Sequence, residues 1–349
     1  MEARSTPAPA RAMEARSASA PARLMEARSA FAPWNRFWFE RPSRYGLAAF
    51  RILFGSLLVW YVARNAGRVE LLYSAAGVYL PYLLPDLAPG VPVARALFAA
   101  WLALAGLFTL GLWTRVVTPL LLGLHLYHYA LSHAVTHSAY DRLILLFLLF
   151  LCLARTDRVW SLGARLARDR SGPSPSERIR SSFASRLIQI QLAVFYLGVG
   201  LQKLANPAWH SGDVLRFNFQ GDWAGALGFW IVGLEPPPWA FTLGAWGVIL
   251  LEISIGFGLF SRRLRPLFVV AGAGFHSSVL LVLGFPEFFV CICAYVLFFE
   301  DATLQRIAGA SAVEAGCGDD AAAGDPAGTN SDILVEPSLQ PPRRSSAQP

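Results

Sequence analysis

"LLEISIGFGLFSRRLRPLFVVAGAGFHSSVLLVLGFPEFF" runs from Leu250 to Phe289, and its pattern decides the fold class. Two apolar runs, 239–260 and 265–283, flank a turn that carries Arg262, Arg263 and Arg265. Each run supplies the ~20 residues that a helix needs to cross the hydrocarbon of a bilayer. Neither alternates apolar and polar residues as a barrel strand would. The stretch therefore reads as two transmembrane helices joined by an arginine-rich turn.

Moving outward, six more apolar segments fall at 46–64, 93–112, 116–135, 140–154, 184–203 and 286–300. The composition agrees: 55% of the 349 residues are hydrophobic, 15% are charged, and the mean hydropathy is +0.44, too apolar for an ordinary soluble domain of this length. The expected fold is all-α, a polytopic integral membrane helix bundle of about eight transmembrane helices with disordered termini. Residues 1–44, with "MEARS" at Met1, Met13 and Met25, form a low-complexity arm. Residues 45–301 form the membrane domain, as helix groups 46–154 and 184–300 joined by the basic linker "ARLARDRSGPSPSERIRSS"; residues 302–349 are a tail rich in Ala, Gly, Asp, Ser and Pro.

The net charge of +7 does not point to nucleic acid, because the arginines cluster in blocks beside apolar segments. If the eight segments alternate in direction, 23 basic residues fall on one face and 6 on the other, with Arg51 inside the first helix. The positive-inside rule then places both termini in the cytoplasm. Cys152, Cys291, Cys293 and Cys317 give neither a disulfide framework nor a zinc-site spacing.

Ionisable residues inside membrane helices are costly and mark candidate functional sites. Glu252 stands in an apolar run and needs a partner; Arg51, in "AAFRILFGSLL", is the candidate. Lys203 is the chain's only lysine beside 29 arginines. Snorkelling at a helix end explains its position, whereas a partly desolvated lysine, unlike arginine, can also act as a base; both readings stay open. His276 fits an interhelical hydrogen bond or a proton relay. In "HLYHYALSHAVTHSAYDRL", His133 and His137 are four residues apart, a helical ligand spacing, but lack a third ligand, and no metal is expected. By the topology above, His137, Lys203, His276 and the "GFPEFF" loop lie toward the external side.

Three stretches together resemble the horizontally transferred transmembrane (HTTM) domain family, whose best-known member is the vitamin K-dependent gamma-carboxylase. "THSAYDRLILLFLLFLCLARTDRVWSL" is similar to its His-Ser-x-Tyr segment and Trp-Ser-Leu exit. "FYLGVGLQKLANPAWHSGDVL" is similar to its lysine motif with a following Trp-x-x-Gly, and the quoted Leu250–Phe289 stretch to its later helix pair. The resemblance covers roughly residues 44–300 and implies a reduced vitamin K, a menaquinol-type quinol, as cofactor. It implies Lys203 as the base that deprotonates the quinol, His137 and His276 as further catalytic residues, and Tyr140, Trp209 and Gln202 around the quinone. In the carboxylase, quinol oxygenation drives glutamate carboxylation. A protein or peptide substrate and membrane lipid are the implied partners, with a lyase or quinol-epoxidase activity if the chain is an enzyme. Gln202 stands where the carboxylase has a second lysine, and no counterpart of its large extramembrane region is expected. The competing reading is a non-enzymatic membrane protein of the same family, binding a partner or serving as an immunity-like or accessory subunit.

Overall fold

The computed structural model describes residues 32–39, 44–78, 87–131, 139–167, 174–307 and 309. Among them there are helices and turns and no strand. The principal helices are α1 (Ala32–Phe39), α2 (Arg44–Ala63), α3 (Val91–Leu110), α4 (Thr114–Leu131), α5 (Ala139–Leu151), α6 (Pro175–Leu204), α7 (Pro238–Gly258), α8 (Arg265–Leu283) and α9 (Phe289–Tyr295). Five helices are long and apolar enough to cross a membrane: α2 with its continuation to Tyr73, α3, α6, α7 and α8.

Helices α2 to α6 pack each against the next, α7 packs along α6, and α8 packs on α7. Helix α9 returns to touch α2, α5, α6 and α8, which closes the bundle. The core is apolar, with Phe50, Phe54, Trp101 and Phe147 fully buried, but it also holds charged and polar groups. Arg51, His125, His128, Asp141, Gln189, Glu252 and His276 are buried, while Leu53, Leu243, Leu250, Leu267, Val270 and Leu281 face outward. An apolar exterior, with the ionisable side chains turned to the bundle interior, is what a lipid solvent requires.

Several expected segments shift for local reasons. The eighth, expected at 286–300, is a composite of a 3₁₀ turn Pro286–Phe288, α9 and a second 3₁₀ turn Val296–Phe298. Its position at the centre of the bundle makes up for its shortness: Val290, Cys291 and Ala294 are fully buried, and Gln189 Nε2 donates to the Leu297 carbonyl at 2.6 Å. Helix α6 begins nine residues before the expected 184. Ser174 and Glu177 form a capping box with Pro175 at the first helical position, a start signal strong enough to extend the helix into the basic linker. Arg115, Arg155 and Arg158 all bond Glu177, at 2.7, 3.2 and 2.6 Å, so the linker is tied to the bundle. Within the amino-terminal arm, α1 is ordered against α6: Trp38 meets Phe183 with ring centroids 5.3 Å apart, and Arg186 Nε donates to the Phe37 carbonyl at 2.7 Å.

Two close approaches set the geometry. Helix α3 ends at Gly111, whose φ of +74° suits glycine. A β-carbon there would lie 2.5 Å from Ser161 Cβ and 2.6 Å from Arg51 Nη1. Across the α6–α7 contact, a β-carbon on Gly200 would lie 2.7 Å from Ile253, and one on Gly256 2.8 Å from Leu197. Small residues thus bring α6 and α7 together.

Arg51 is fully buried and donates to the Thr156 carbonyl and, at 2.5 Å, to the Trp160 carbonyl. It thereby fastens the loop after α5. Arg51→Leu leaves both carbonyls unsatisfied inside the bundle, and unfolding in detergent is expected to show a loss of about 3 kcal/mol, at ~1–3 kcal/mol per orphaned group. A melt matching the parent protein would rule this role out.

Candidate functional site

The face of α6 that meets α7 and α8 carries Tyr196, Val199 and Lys203, spaced by one or two helical turns so that they share one side. Val248 and Glu252 on α7 and His276, Val279 and Leu283 on α8 repeat that spacing, and all face one cavity of about 470 Å³. Phe275, Phe288 and Trp209 supply aromatic walls. Trp209 is held by the turn after α6, where Asn206 accepts from the Ala208 amide at 3.0 Å.

Lys203 Nζ donates to Glu252 Oε1 at 2.5 Å and lies 4.7 Å from the Trp209 ring centroid. The lysine side chain is 19% exposed and the glutamate 5%. A lysine snorkelling into the headgroups would not be enclosed in this way; this one is held by a carboxylate and an aromatic face, both of which favour a cation. Behind the pair, Tyr196 Oη lies 2.5 Å from His276 Nε2 and 2.5 Å from Tyr295 Oη.

Two buried polar atoms at this cavity have no partner among the described residues, Glu252 Oε2 and His276 Nδ1. Tyr196 engages Nε2 of the histidine, so in either direction of that hydrogen bond Nδ1 is left as a donor or an acceptor for something else. Buried polar atoms are rarely left in this state. Both residues line the cavity.

The sequence-predicted residues separate clearly. Lys203, His276, Gln202 and Trp209 line the cavity. Tyr140 does not line it but packs on Phe288, which does, with ring centroids 5.5 Å apart. His137 lies outside the described residues, as does His133. The expected Arg51–Glu252 pair does not form. Arg51 is taken by the two loop carbonyls and Glu252 by Lys203, because α7 packs chiefly on α6 and α8. Tyr196 and Tyr295 escaped the sequence reading. Tyr196 lies two turns before Lys203 on the same face, a spacing that could have indicated it; Tyr295 is brought in only by the packing of α9.

A separate polar cluster lies in the first helix group. Tyr61 donates to Asp141 Oδ1 at 2.6 Å, and Arg64 pairs with Glu287. His128 stacks on Trp101 at 4.3 Å and bonds the Leu124 carbonyl at 2.8 Å. Among the described residues no three His, Cys, Asp or Glu side chains converge to hold a metal ion.

A family model, that of the HTTM domain, matches residues 40–302, well over half of the chain. The chain belongs to the HTTM family. Neither the curated proteins nor the solved structures contain a match. Together with the five apolar helices, the HTTM assignment makes this a membrane protein.

The Lys203–Glu252 pair generates a test of coupling. Lys203→Met or Glu252→Leu alone strands one buried charge and is expected to cost about 2–4 kcal/mol, while the double variant is expected to cost less than the sum by at least about 1 kcal/mol. Unfolding of the four proteins in mixed micelles measures this; additive losses would mean that the two side chains are not energetically paired.

Proposed function

We propose that this HTTM protein crosses the membrane eight times with both termini in the cytoplasm, and that its 470 Å³ cavity binds the head of a reduced membrane quinone of the vitamin K type, with Lys203 as the base. The observation that carries the reading is the pairing of Lys203 with Glu252 at an aromatic-walled cavity where Glu252 Oε2 and His276 Nδ1 have no protein partner. A hydroquinone head suits this donor set, since it offers a flat apolar ring and two hydroxyls that can meet two orphaned polar atoms. When bound, it would supply an oxidisable phenolic head, whose oxygenation drives glutamate carboxylation in the carboxylase that the chain resembles.

Lys203 and Glu252 work as one unit. Hydrogen-bonded to each other, the two side chains retain one basic site between them: the carboxylate beside an ammonium, or the amine beside a carboxylic acid. A further proton taken up by the pair gives it one positive charge, which would be balanced by the anion that the proton leaves behind in the cavity. His276, held through Nε2 by Tyr196, turns Nδ1 to whatever occupies the cavity, and Tyr196 and Tyr295 extend the hydrogen-bonded chain toward α9. Trp209, Phe275 and Phe288 exclude water from the pair.

The eight crossings rest on α4, α5 and the Pro286–Phe298 segment in addition to the five long helices, and the orientation on the 23 to 6 distribution of basic residues. The arginine blocks are accounted for by that topology, so no nucleic-acid partner is proposed. A non-enzymatic reading is favoured by one observation, the close glycine packing of α6 on α7, in which the Lys203–Glu252 pair serves only to hold the two helices together.

Proteoliposomes supplied with reduced menaquinone or phylloquinone separate the two. Quinone epoxide is expected from the parent protein and is expected to fall by at least about 100-fold in Lys203→Arg, the scale of a lost general base, with the melting temperature little changed. Undiminished epoxide in that variant would remove Lys203 as the base; no epoxide from the parent protein, with Lys203→Ala lowering only folded yield, would establish the structural reading. Epoxide formation that rises on adding a glutamyl peptide would identify a peptide substrate.

A further inference from the structure

At the far end of α6 from Lys203 lies a second cavity, of about 800 Å³, bounded by α1, the start of the apolar part of α6, the turn between α7 and α8, and the segment after α9. We propose that it holds the phosphate-bearing headgroup of an anionic phospholipid. The inference is independent of any chemistry at Lys203.

Charge is the first argument. Arg36, Arg186, Arg262 and Arg265 line the cavity against two carboxylates, Glu300 and Asp301. Asp301 accepts from the backbone amides of Arg44 and Gly46, at 3.0 and 3.2 Å, at the start of α2. Its charge is committed to a helix amino terminus. Glu300 meets Arg262 at 3.2 Å with both side chains more than half exposed, an arrangement of small net value that a phosphate can displace. The guanidinium groups come from three separate stretches of sequence, and arginine is the side chain best shaped for phosphate oxygens.

A second, independent observation is Ser185. Its side chain is 4% exposed, lines this cavity, and its hydroxyl has no partner among the described residues. A hydroxyl left in this state beside four arginines fits an acceptor oxygen that the protein itself does not provide.

The surroundings select a lipid over a free anion. Phe260 and Phe298 form apolar parts of the wall. Helix α1, fixed to α6 by Arg186, exposes Trp34 and Phe39, the aromatic signature of the headgroup level. Beside the turn, Leu264 and Leu267 are outward-facing and more or less half-exposed or beyond, at 50% and 62%, which gives acyl chains an apolar flank next to the arginines. The same end of the bundle gathers the arginine-rich segments, and a polybasic face is drawn to anionic lipid.

The test uses the full chain purified in detergent, with lipid retention read by native mass spectrometry and melting measured in parallel. Dioleoyl-phosphatidylglycerol is expected to be retained over dioleoyl-phosphatidylcholine and to raise the melting temperature. The Arg36→Gln/Arg262→Gln variant is expected to lose at least about five-fold of that retention while melting like the parent protein when lipid-free; Ser185→Ala is expected to lose less. Equal retention of the two lipids, or full retention by the double variant, would overturn the proposal. Stabilisation by inorganic phosphate equal to that by phosphatidylglycerol would overturn a lipid as the source. If the double variant does not fold, the parent protein decides: the preference is expected to fade between about 0.1 M and about 1 M salt, as the screening length drops from ~10 to ~3 Å, and a preference unchanged by salt would sink the idea.

Discussion

A lysine and a glutamate in an apolar bundle are each too expensive to bury alone, and the contact between them is the constraint on which the carboxy-terminal half of this protein depends. For Lys203 Nζ to reach Glu252 Oε1 at 2.5 Å, α6 and α7 must lie close and in one register. Gly200 and Gly256 permit the approach, since a β-carbon at either would collide with the facing helix. Once α6 and α7 are set, α8 is placed by the Tyr196–His276 bond and α9 by the Tyr196–Tyr295 bond. One polar seam thus orders four helices. The cavity is the space that the seam leaves, walled by Trp209, Phe275 and Phe288 and by Val199, Val248, Val279 and Leu283.

The amino-terminal half solves the same problem with backbone partners. Among the described residues Arg51 has no carboxylate bonded to it; two loop carbonyls take its place, and Gly111 is the residue small enough to leave room for its guanidinium. Loops that leave a membrane helix carry carbonyls without helical partners. A buried arginine with several donors can satisfy more than one of them. The Glu177 carboxylate does the converse for arginines, drawing Arg115, Arg155 and Arg158 to the start of α6. In both places the charge organises chain segments that are far apart in sequence.

How much of this was legible in the sequence depended on whether the signal was local. The bounds of α8 follow from Pro266 in its first turn and Gly284 after its last, and the structure places the helix at Arg265–Leu283, as read. The start of α6 also had a local signal, the Ser174–Glu177 capping box, but the polarity of Arg178 and Arg180 masked it, because an apolar count stops where a helix leaves lipid and the helix itself need not. Pairing was not legible. Arg51 and Glu252 were matched only because each needed a partner of opposite sign, and sequence carries no record of which helices touch or of a carbonyl taking the place of a carboxylate. Lys203, Gln202, Trp209 and His276 were found together through the family motifs, whereas Tyr295 joins them from a position nearly 100 residues after Tyr196. His137 belongs to the stretch that the described residues do not include.

Helix α6 connects the two cavities. Ser185 stands at the arginine-lined one and Lys203 at the aromatic one, and the rise between them along the helix is about 27 Å at 1.5 Å per residue. That is close to the roughly 30 Å of bilayer hydrocarbon. A headgroup held at Arg186 would fix the depth of α6 and so set Lys203 near the opposite edge of the hydrocarbon. There, the short helices Pro207–His210, Asp213–Asn218 and Ala226–Gly233 pack against α7 and α8, with Phe217, Phe229 and Trp230 facing outward. Under the proposed function, an apolar cover of that kind would keep the Lys203–Glu252 pair away from water and leave its cavity within reach of a lipid-soluble ring. On the function proposed above, the lone lysine would then sit at a level of the bilayer where an amphipathic quinol head and a buried proton acceptor can meet.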